Sequence, residues 1–101
     1  MTSKEIILRL GHFRNQANLS ARELSLRIGK HEGYISKLES YDFNITIDML
    51  TKILETLNIS YPEFFADNYV SYAKNKQLYE LIESLSEDKK DNLINFIKTL
   101  I

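Results

Sequence analysis

Two short helical patterns separated by a glycine constrain this chain more than any other feature of its sequence. The first begins where Ser20 and Glu23 have the spacing of a capping box, and it places Leu24 and Ile28 on one face. Gly29 then stands where helices commonly end in a left-handed residue. A second helical pattern follows only three residues later. The sequence therefore predicts two short helices joined by a tight turn, which is the arrangement of an αα corner.

The rest of the chain favours helices as well. Its 101 residues include three Gly and one Pro, too few for the many turns of a β-rich fold. Capping residues predict helices that begin after Thr2, Thr46 and Ser60, with a loop over residues 42–45. The apolar stripe of the first helix is expected to comprise Ile6, Leu10, Phe13 and Ala17, and that of the fourth Ile47, Leu50, Ile53, Leu54 and Leu57. With Phe64 and Phe65 closing a fifth helix, we predict an all-α fold.

Residues 68–101 form a second region in this prediction, separated from 1–67 by a polar junction. Two further apolar stripes, with Ser86 as the N-cap of the second, predict a helical hairpin. Since the first five helices already supply a complete core, these stripes lack a partner, and an exposed apolar patch of that size usually marks an interface. We expect homodimerisation through Leu78, Leu81, Ile82, Leu85, Leu93, Phe96, Ile97 and Leu100. The alternative is a monomer whose hairpin folds back onto its own domain.

The distribution of charge and reactive side chains narrows the class of function. Residues 1–41 carry 7 Lys and Arg against 4 Asp and Glu, a balance of +3, whereas residues 42–101 carry 6 against 10, a balance of −4. A local basic surface of this kind suits nucleic-acid binding, although +3 is also within ordinary scatter. With two His, no Cys, no glycine-rich phosphate loop and no metal-binding motif, we expect neither catalysis, nor a metal, nor a cofactor. The absence of cysteine and of long apolar runs favours a cytoplasmic protein without a membrane partner.

The segment from Leu19 to Glu39 resembles the helix-turn-helix core of the lambda-repressor/Cro (XRE) family, and the resemblance extends over roughly residues 6–65. The residues whose spacing matches that of the family are Leu24, the small Ser25, Gly29, Ile35 and Glu39. The resemblance implies a five-helix DNA-binding domain, followed here by the predicted hairpin. It also implies that the second helix of the motif, predicted over residues 32–39, enters the major groove of double-stranded DNA.

The same resemblance assigns roles to individual residues. Base contacts are implied for His31, Glu32, Gly33, Tyr34, Ser36 and Lys37, and phosphate contacts for Arg22, Lys30, Ser40 and Asn44. A family pairing of an arginine late in the first helix with a glutamate ending the recognition helix implies a partly buried ion pair between Arg14 and Glu39. Two alternatives stay open, in which Tyr34 packs against the first helix and Glu32 only favours the helix N-terminus electrostatically.

These observations together predict a sequence-specific regulator of transcription. We expect a repressor that acts as a dimer on a palindromic operator, and no small-molecule ligand. The alternative is an antitoxin or antirepressor-like module that uses the same fold to hold a protein partner.

Overall fold

The computed structural model describes residues 1–40 and 44–101. Within those ranges the chain forms helices and no strand, which confirms the all-α prediction. The helices are α1 (Ser3–Gln16), α2 (Ala21–Arg27), α3 (Tyr34–Glu39), α4 (Ile47–Leu57), α5 (Tyr61–Phe64), α6 (Tyr72–Glu83) and α7 (Glu87–Leu100). They divide between two compact units, Met1–Phe64 and Phe65–Ile101. The domain boundary predicted after residue 67 stays a prediction, and part of the loop predicted over 42–45 lies outside the described residues.

The helices begin where short polar side chains can accept a backbone hydrogen bond. Ser20 Oγ accepts from the Glu23 N–H at 3.0 Å, and the Glu23 carboxylate accepts in return from the Ser20 N–H at 3.1 Å, so the predicted capping box is complete. Thr2, Thr46 and Ser86 each accept from the amide three residues later, as their positions in the sequence predicted.

Three helices of the first unit end in the same left-handed turn. Asn18, Gly29 and Asn58 have φ values of 57°, 77° and 58° and follow the ends of α1, α2 and α4. After each of them, an amide donates to the carbonyl five residues back, as in the bond from Lys30 N–H to Ser25 O at 2.9 Å. These are Schellman motifs, in which glycine or asparagine tolerates the left-handed conformation best.

The core of the first unit is made by apolar side chains from all five of its helices. The buried ones are Ile7, Leu10, Phe13, Leu24, Ile28, Ile35, Leu38, Leu50, Ile53, Leu54 and Phe64. The Phe13 and Phe64 rings lie 5.9 Å apart, and Arg9 Nη1 donates to the Phe64 carbonyl oxygen at 2.8 Å. These contacts connect the first helix of the unit to its last.

Several residues of the predicted apolar stripes are not buried, and most of them lie at helix ends. Ala17 is exposed because α1 ends at Gln16, and Ile47 is 78% exposed because it is the first residue of α4. Phe65, predicted to close the fifth helix together with Phe64, lies after the end of α5 and is exposed. At the start of α1, Ile7 is buried and Ile6 only half-buried; Leu57, in the last turn of α4, is also half-buried. Helical periodicity predicts burial only where a complete turn faces a neighbour.

The second unit presents the two predicted helices, α6 and α7, connected by residues 84–86. None of its described residues is buried. Of the residues predicted to form an interface, Leu78, Leu81, Phe96, Ile97 and Leu100 are exposed, and Ile82, Leu85 and Leu93 are half-buried. Across the described residues, no helix combines the length and the apolar character that a bilayer span needs.

Candidate DNA interface

The two helices of the central motif are held together by a buried serine. Ser25, on α2, has no exposed surface, and its hydroxyl donates to Ala21 O at 2.7 Å. The same oxygen accepts from the Ile35 N–H, in the first turn of α3, at 2.9 Å. Since a hydroxyl has one proton to donate, these two bonds are compatible only in this direction. From the sequence, Ser25 was predicted only to be a small residue between closely crossing helices, and this bond was not predicted.

The turn between the helices brings basic and aromatic side chains together. Gly29 completes the Schellman motif of α2, and the chain then runs through residues 30–33 to α3. Lys30 Nζ lies 5.4 Å from the centre of the Tyr34 ring, and the His31 ring meets the same ring edge-on with centroids 6.2 Å apart. Burial raises the pKa of Tyr34 above the ordinary value of 10.0, at which a phenol already keeps its proton at neutral pH and can donate to an acceptor.

The recognition helix begins later than the sequence analysis predicted. Helix α3 spans Tyr34–Glu39, so Glu32 and Gly33 precede it, which corrects the predicted range of 32–39. Gly33 occupies the N-cap position with φ −92° and ψ 0°, and it has no side chain with which to cap the helix. Its N–H donates to His31 Nδ1 at 3.2 Å. This bond stabilises the turn, and Gly33 therefore does not extend the helix.

The short α3 has an inner and an outer face. Ile35 and Leu38 are buried, while Ser36 and Lys37 are exposed and Tyr34 is half-buried. The polar side chains of the helix are therefore displayed outward on a packed support. Among the predicted base-contacting residues, His31 and Glu32 lie in the exposed turn just before this helix, and Gly33 is half-buried there.

Arg14 and Glu39 form an ion pair at the C-terminal end of α3. Arg14 Nε lies 2.7 Å from Glu39 Oε1, and Nη2 lies 3.1 Å from Oε2, so the contact is bidentate. The third donor, Nη1, bonds to Leu19 O at 2.9 Å. The side chains are 15% and 25% exposed, which agrees with the partial burial that was predicted. The guanidinium thus connects the end of α1, the segment before α2 and the end of α3.

Arg22 and Glu32, expected to contact phosphate and base, contact each other in this structure. Arg22 Nε donates to Glu32 Oε2 at 3.0 Å, and both side chains are about two-thirds exposed. The pair lies at the surface, where water competes for both charges and the bond is easily exchanged for another.

Two residues predicted to contact phosphate, Ser40 and Asn44, follow the end of α3. The Ser40 hydroxyl donates to Ser36 O at 2.9 Å, so in this structure its proton is used within the helix end. Asn44 is exposed. Lys30, at the other end of the motif, is exposed as well and has its ammonium over Tyr34.

In residues 1–40 and 44–101, no group of three or more His, Cys, Asp and Glu side chains is placed to hold a metal ion. The sequence signal for this role of Ser25 is limited to Gly33, which has no side chain with which to cap a helix; that Ser25 reaches the start of α3 depends on how α2 and α3 cross.

Comparison with known proteins agrees with this geometry. A helix-turn-helix family model matches residues 10–64, which is more than half of the chain and includes α2, α3 and α4 entirely. No curated protein and no solved structure matched the chain. The matched family is non-enzymatic and binds DNA. This chain therefore belongs to the XRE/Cro-type family of helix-turn-helix DNA-binding proteins.

Proposed function

We propose that the chain is a transcriptional repressor that binds a palindromic operator as a homodimer, with α3 in the major groove. The observation that carries this proposal is the exposed polar surface of α3, supported from behind by buried Ile35 and Leu38 and held at its end by Arg14. An α-helix fits the major groove, where each base pair presents a distinct pattern of donors and acceptors.

The proposed base contacts follow from the chemistry of the exposed residues. Lys37 can donate to guanine O6 and N7, and Glu32 can accept from cytosine N4. Tyr34 can donate its phenolic proton to a phosphate or contact a thymine methyl group. We further propose that His31 and Ser36 contact neighbouring bases. At Gly33, which has no side chain, we propose that the backbone comes close to the DNA.

The proposed phosphate contacts come from Arg22, Lys30, Ser40 and Asn44. Arg22 and Glu32 separate in this scheme, because a phosphate takes the guanidinium and a base edge takes the carboxylate. Separating Arg22 from Glu32 costs little free energy, since the pair is exposed and water already competes for both charges.

Selection of bound sequences from a random DNA pool tests the DNA part of the proposal. The selected sequence should bind far more tightly than random DNA at physiological salt. The logarithm of the affinity should fall with the logarithm of the salt concentration, with a slope near −5 if about six phosphates are contacted.

Lys37→Ala should relax the preference at one base position and weaken binding by about 1–3 kcal/mol. The matched control is Lys98→Ala, which removes the same charge from α7. Equal affinity for selected and random DNA would contradict the proposal.

The dimer part of the proposal rests on the second unit. Large apolar side chains repeat along α6 and α7, yet Leu81, Phe96 and Leu100 remain 58%, 59% and 67% exposed. Covering such side chains stabilises an association by about 1.5–3 kcal/mol for each one fully buried, before the cost of association is subtracted. A two-fold axis would also place two α3 helices on half-sites about 34 Å apart.

A charge placed on the apolar stripe tests the dimer in the full chain. Phe96→Asp should convert a dimer to a monomer in analytical ultracentrifugation at micromolar concentration, and should weaken operator binding. The control is Asn95→Asp, which adds the same charge to the adjacent, exposed position on the other side of α7. A monomeric wild-type chain would contradict the proposed dimer, and a Phe96→Asp variant that still dimerises would show that the interface lies elsewhere. A reporter gene with the selected site inside its promoter tests repression, with lower expression expected.

A further inference from the structure

The start of the recognition helix depends on a side chain from the preceding helix. Helix α3 has only six residues, and helices of this length are unstable by themselves. Its N-cap residue is Gly33, so the usual side-chain acceptor for the first-turn amides is absent. Another group must accept the hydrogen bond of the Ile35 amide, because Ile35 is buried and water does not reach it.

That group is the Ser25 hydroxyl. Its oxygen lies 2.9 Å from the Ile35 nitrogen, and its own proton is directed to Ala21 O at 2.7 Å. The bond to Ala21 fixes the orientation of the hydroxyl and leaves a lone pair for Ile35. Since Ser25 has no exposed surface, no solvent molecule competes for this oxygen.

We propose that Ser25 is a positioning residue for DNA recognition, which caps α3 from α2 and thereby sets where the base-contacting turn begins. This inference rests on the proposed function, because it assumes that α3 contacts bases. Tyr34 and Lys37 stand before and after Ile35 in the same helix, so fraying at Ile35 displaces the first turn, on which these contacts depend. Recognition tolerates displacements of only about 0.5 Å in the supporting residues.

No residue that is merely small can take this role. Alanine fits the space of Ser25 but leaves the Ile35 amide without an acceptor, and the thiol of cysteine is a weak acceptor. Threonine retains the hydroxyl but adds a methyl group to a fully buried position. Ser25→Ala is therefore the variant that removes the hydrogen bond with the least change in packing.

The test compares Ser25→Ala with the wild-type chain in two measurements. Amide hydrogen exchange should show the Ile35 amide protected in the wild-type chain, and its exchange should accelerate at least about tenfold in the variant, which corresponds to about 1.4 kcal/mol. The ratio of affinities for the selected operator and for random DNA should fall about tenfold, while affinity for random DNA stays unchanged because phosphate contacts dominate it. The control is Thr56→Val, which removes the hydroxyl that bonds Lys52 O within α4 and should leave both quantities unchanged.

The outcomes separate this inference from the proposed function. A wild-type chain that does not distinguish the selected operator from random DNA overturns the proposed function, and the inference with it. A wild-type chain that does, together with a folded Ser25→Ala variant that distinguishes them equally well, overturns the inference alone. If Ser25→Ala does not fold, the wild-type exchange rate decides: an Ile35 amide that exchanges as fast as an exposed amide overturns the cap, and strong protection supports it.

Discussion

The Arg14–Glu39 ion pair allows a quantitative test of how α3 is fixed. Removing either side chain leaves the other charge without its partner, in a place where water reaches it only in part. Arg14 would lose two bonds to the carboxylate and keep only the one from Nη1 to Leu19 O. Breaking a fully buried pair costs about 3–5 kcal/mol, and a fully exposed pair contributes 0–1 kcal/mol. With exposures of 15% and 25%, this pair lies nearer the buried limit.

We therefore expect Arg14→Ala and Glu39→Ala each to lower the free energy of unfolding by about 2–3 kcal/mol. The double variant should lose less than the two single variants together, because removal of the second charge relieves the penalty created by the first. The coupling energy from the double-mutant cycle should be about 1.5–2 kcal/mol. Arg14→Lys should recover only part of it, since an ammonium cannot make the two parallel bonds of a guanidinium.

The chain contains its own control for this experiment. Arg22 and Glu32 make the same kind of contact, from Nε to a carboxylate oxygen at 3.0 Å, but with both side chains about two-thirds exposed. The equivalent cycle at this pair should give no more than about 0.5 kcal/mol, and 0.5 M salt should remove most of it. The two cycles thus differ in burial and in the second, parallel bond that Arg14 makes through Nη2.

Urea unfolding followed by circular dichroism and by tyrosine fluorescence measures these energies, and the midpoint should shift without a change in slope. Coincidence of the two signals is needed, because the chain has two compact units and a single free energy of unfolding is defined only if they unfold together. A coupling energy at Arg14–Glu39 no greater than that of the control pair would refute the argument from burial.

Two further predictions concern backbone conformation and acid stability. Gly11→Ala should raise the free energy of unfolding by about 0.5–1 kcal/mol, because Gly11 is inside α1 and its new Cβ would meet Glu39 Oε1 at an ordinary 3.6 Å. Gly29→Ala should lower it by about 1–2 kcal/mol, because φ is +77° there; thermal unfolding measures both, and equal signs would contradict the argument. The pKa of Glu23 is lowered, first by the Ser20 backbone N–H and then by the Ser20 hydroxyl, so its stabilising effect is complete above the ordinary value of 4.5 and disappears as the pH falls through the lower folded-state pKa. Glu23→Gln should therefore remove part of the acid dependence of unfolding below pH 4.5, which a pH series of urea titrations would detect.

The capping box and the turn of the central motif could be predicted from the sequence, because the residues there fit few local conformations. Ser20 followed by Glu23 allows few conformations other than a capping box, and Gly29 followed by a new helical pattern requires a reversal. The Arg14–Glu39 contact had a different origin. No local rule connects residues 25 positions apart, and the expectation came from resemblance alone.

The start of α3 could not be predicted, because local rules favour different answers there. Glu32 and Tyr34 are compatible with a helix, whereas Gly33 is not a good helix former. The structure shows two bonds at this point that a sequence pattern does not contain, from Gly33 N–H to His31 Nδ1 and from Ile35 N–H to Ser25 Oγ. The first lies within the turn, and the second depends on how α2 and α3 cross.

Both ends of α3 are thus fixed by side chains from outside it, and the length of the helix makes this important. Six residues at 1.5 Å each extend about 9 Å, so a shift of 1 Å at one end tilts the outer face by several degrees. Ser25 holds the beginning, through the Ile35 amide, and Arg14 holds the end, through the Glu39 carboxylate. Since both anchors hold the same six-residue helix, a shift at one end is felt at the other, and their effects on DNA recognition should be coupled and not simply add. Loss of the first anchor displaces the first turn, on which the contacts of both Tyr34 and Lys37 depend, whereas loss of the second leaves the cap on the Ile35 amide in place and displaces the end of the helix next to Lys37. Loss of the second should therefore relax sequence preference mainly at the base position of Lys37, and loss of the first at the positions of both residues.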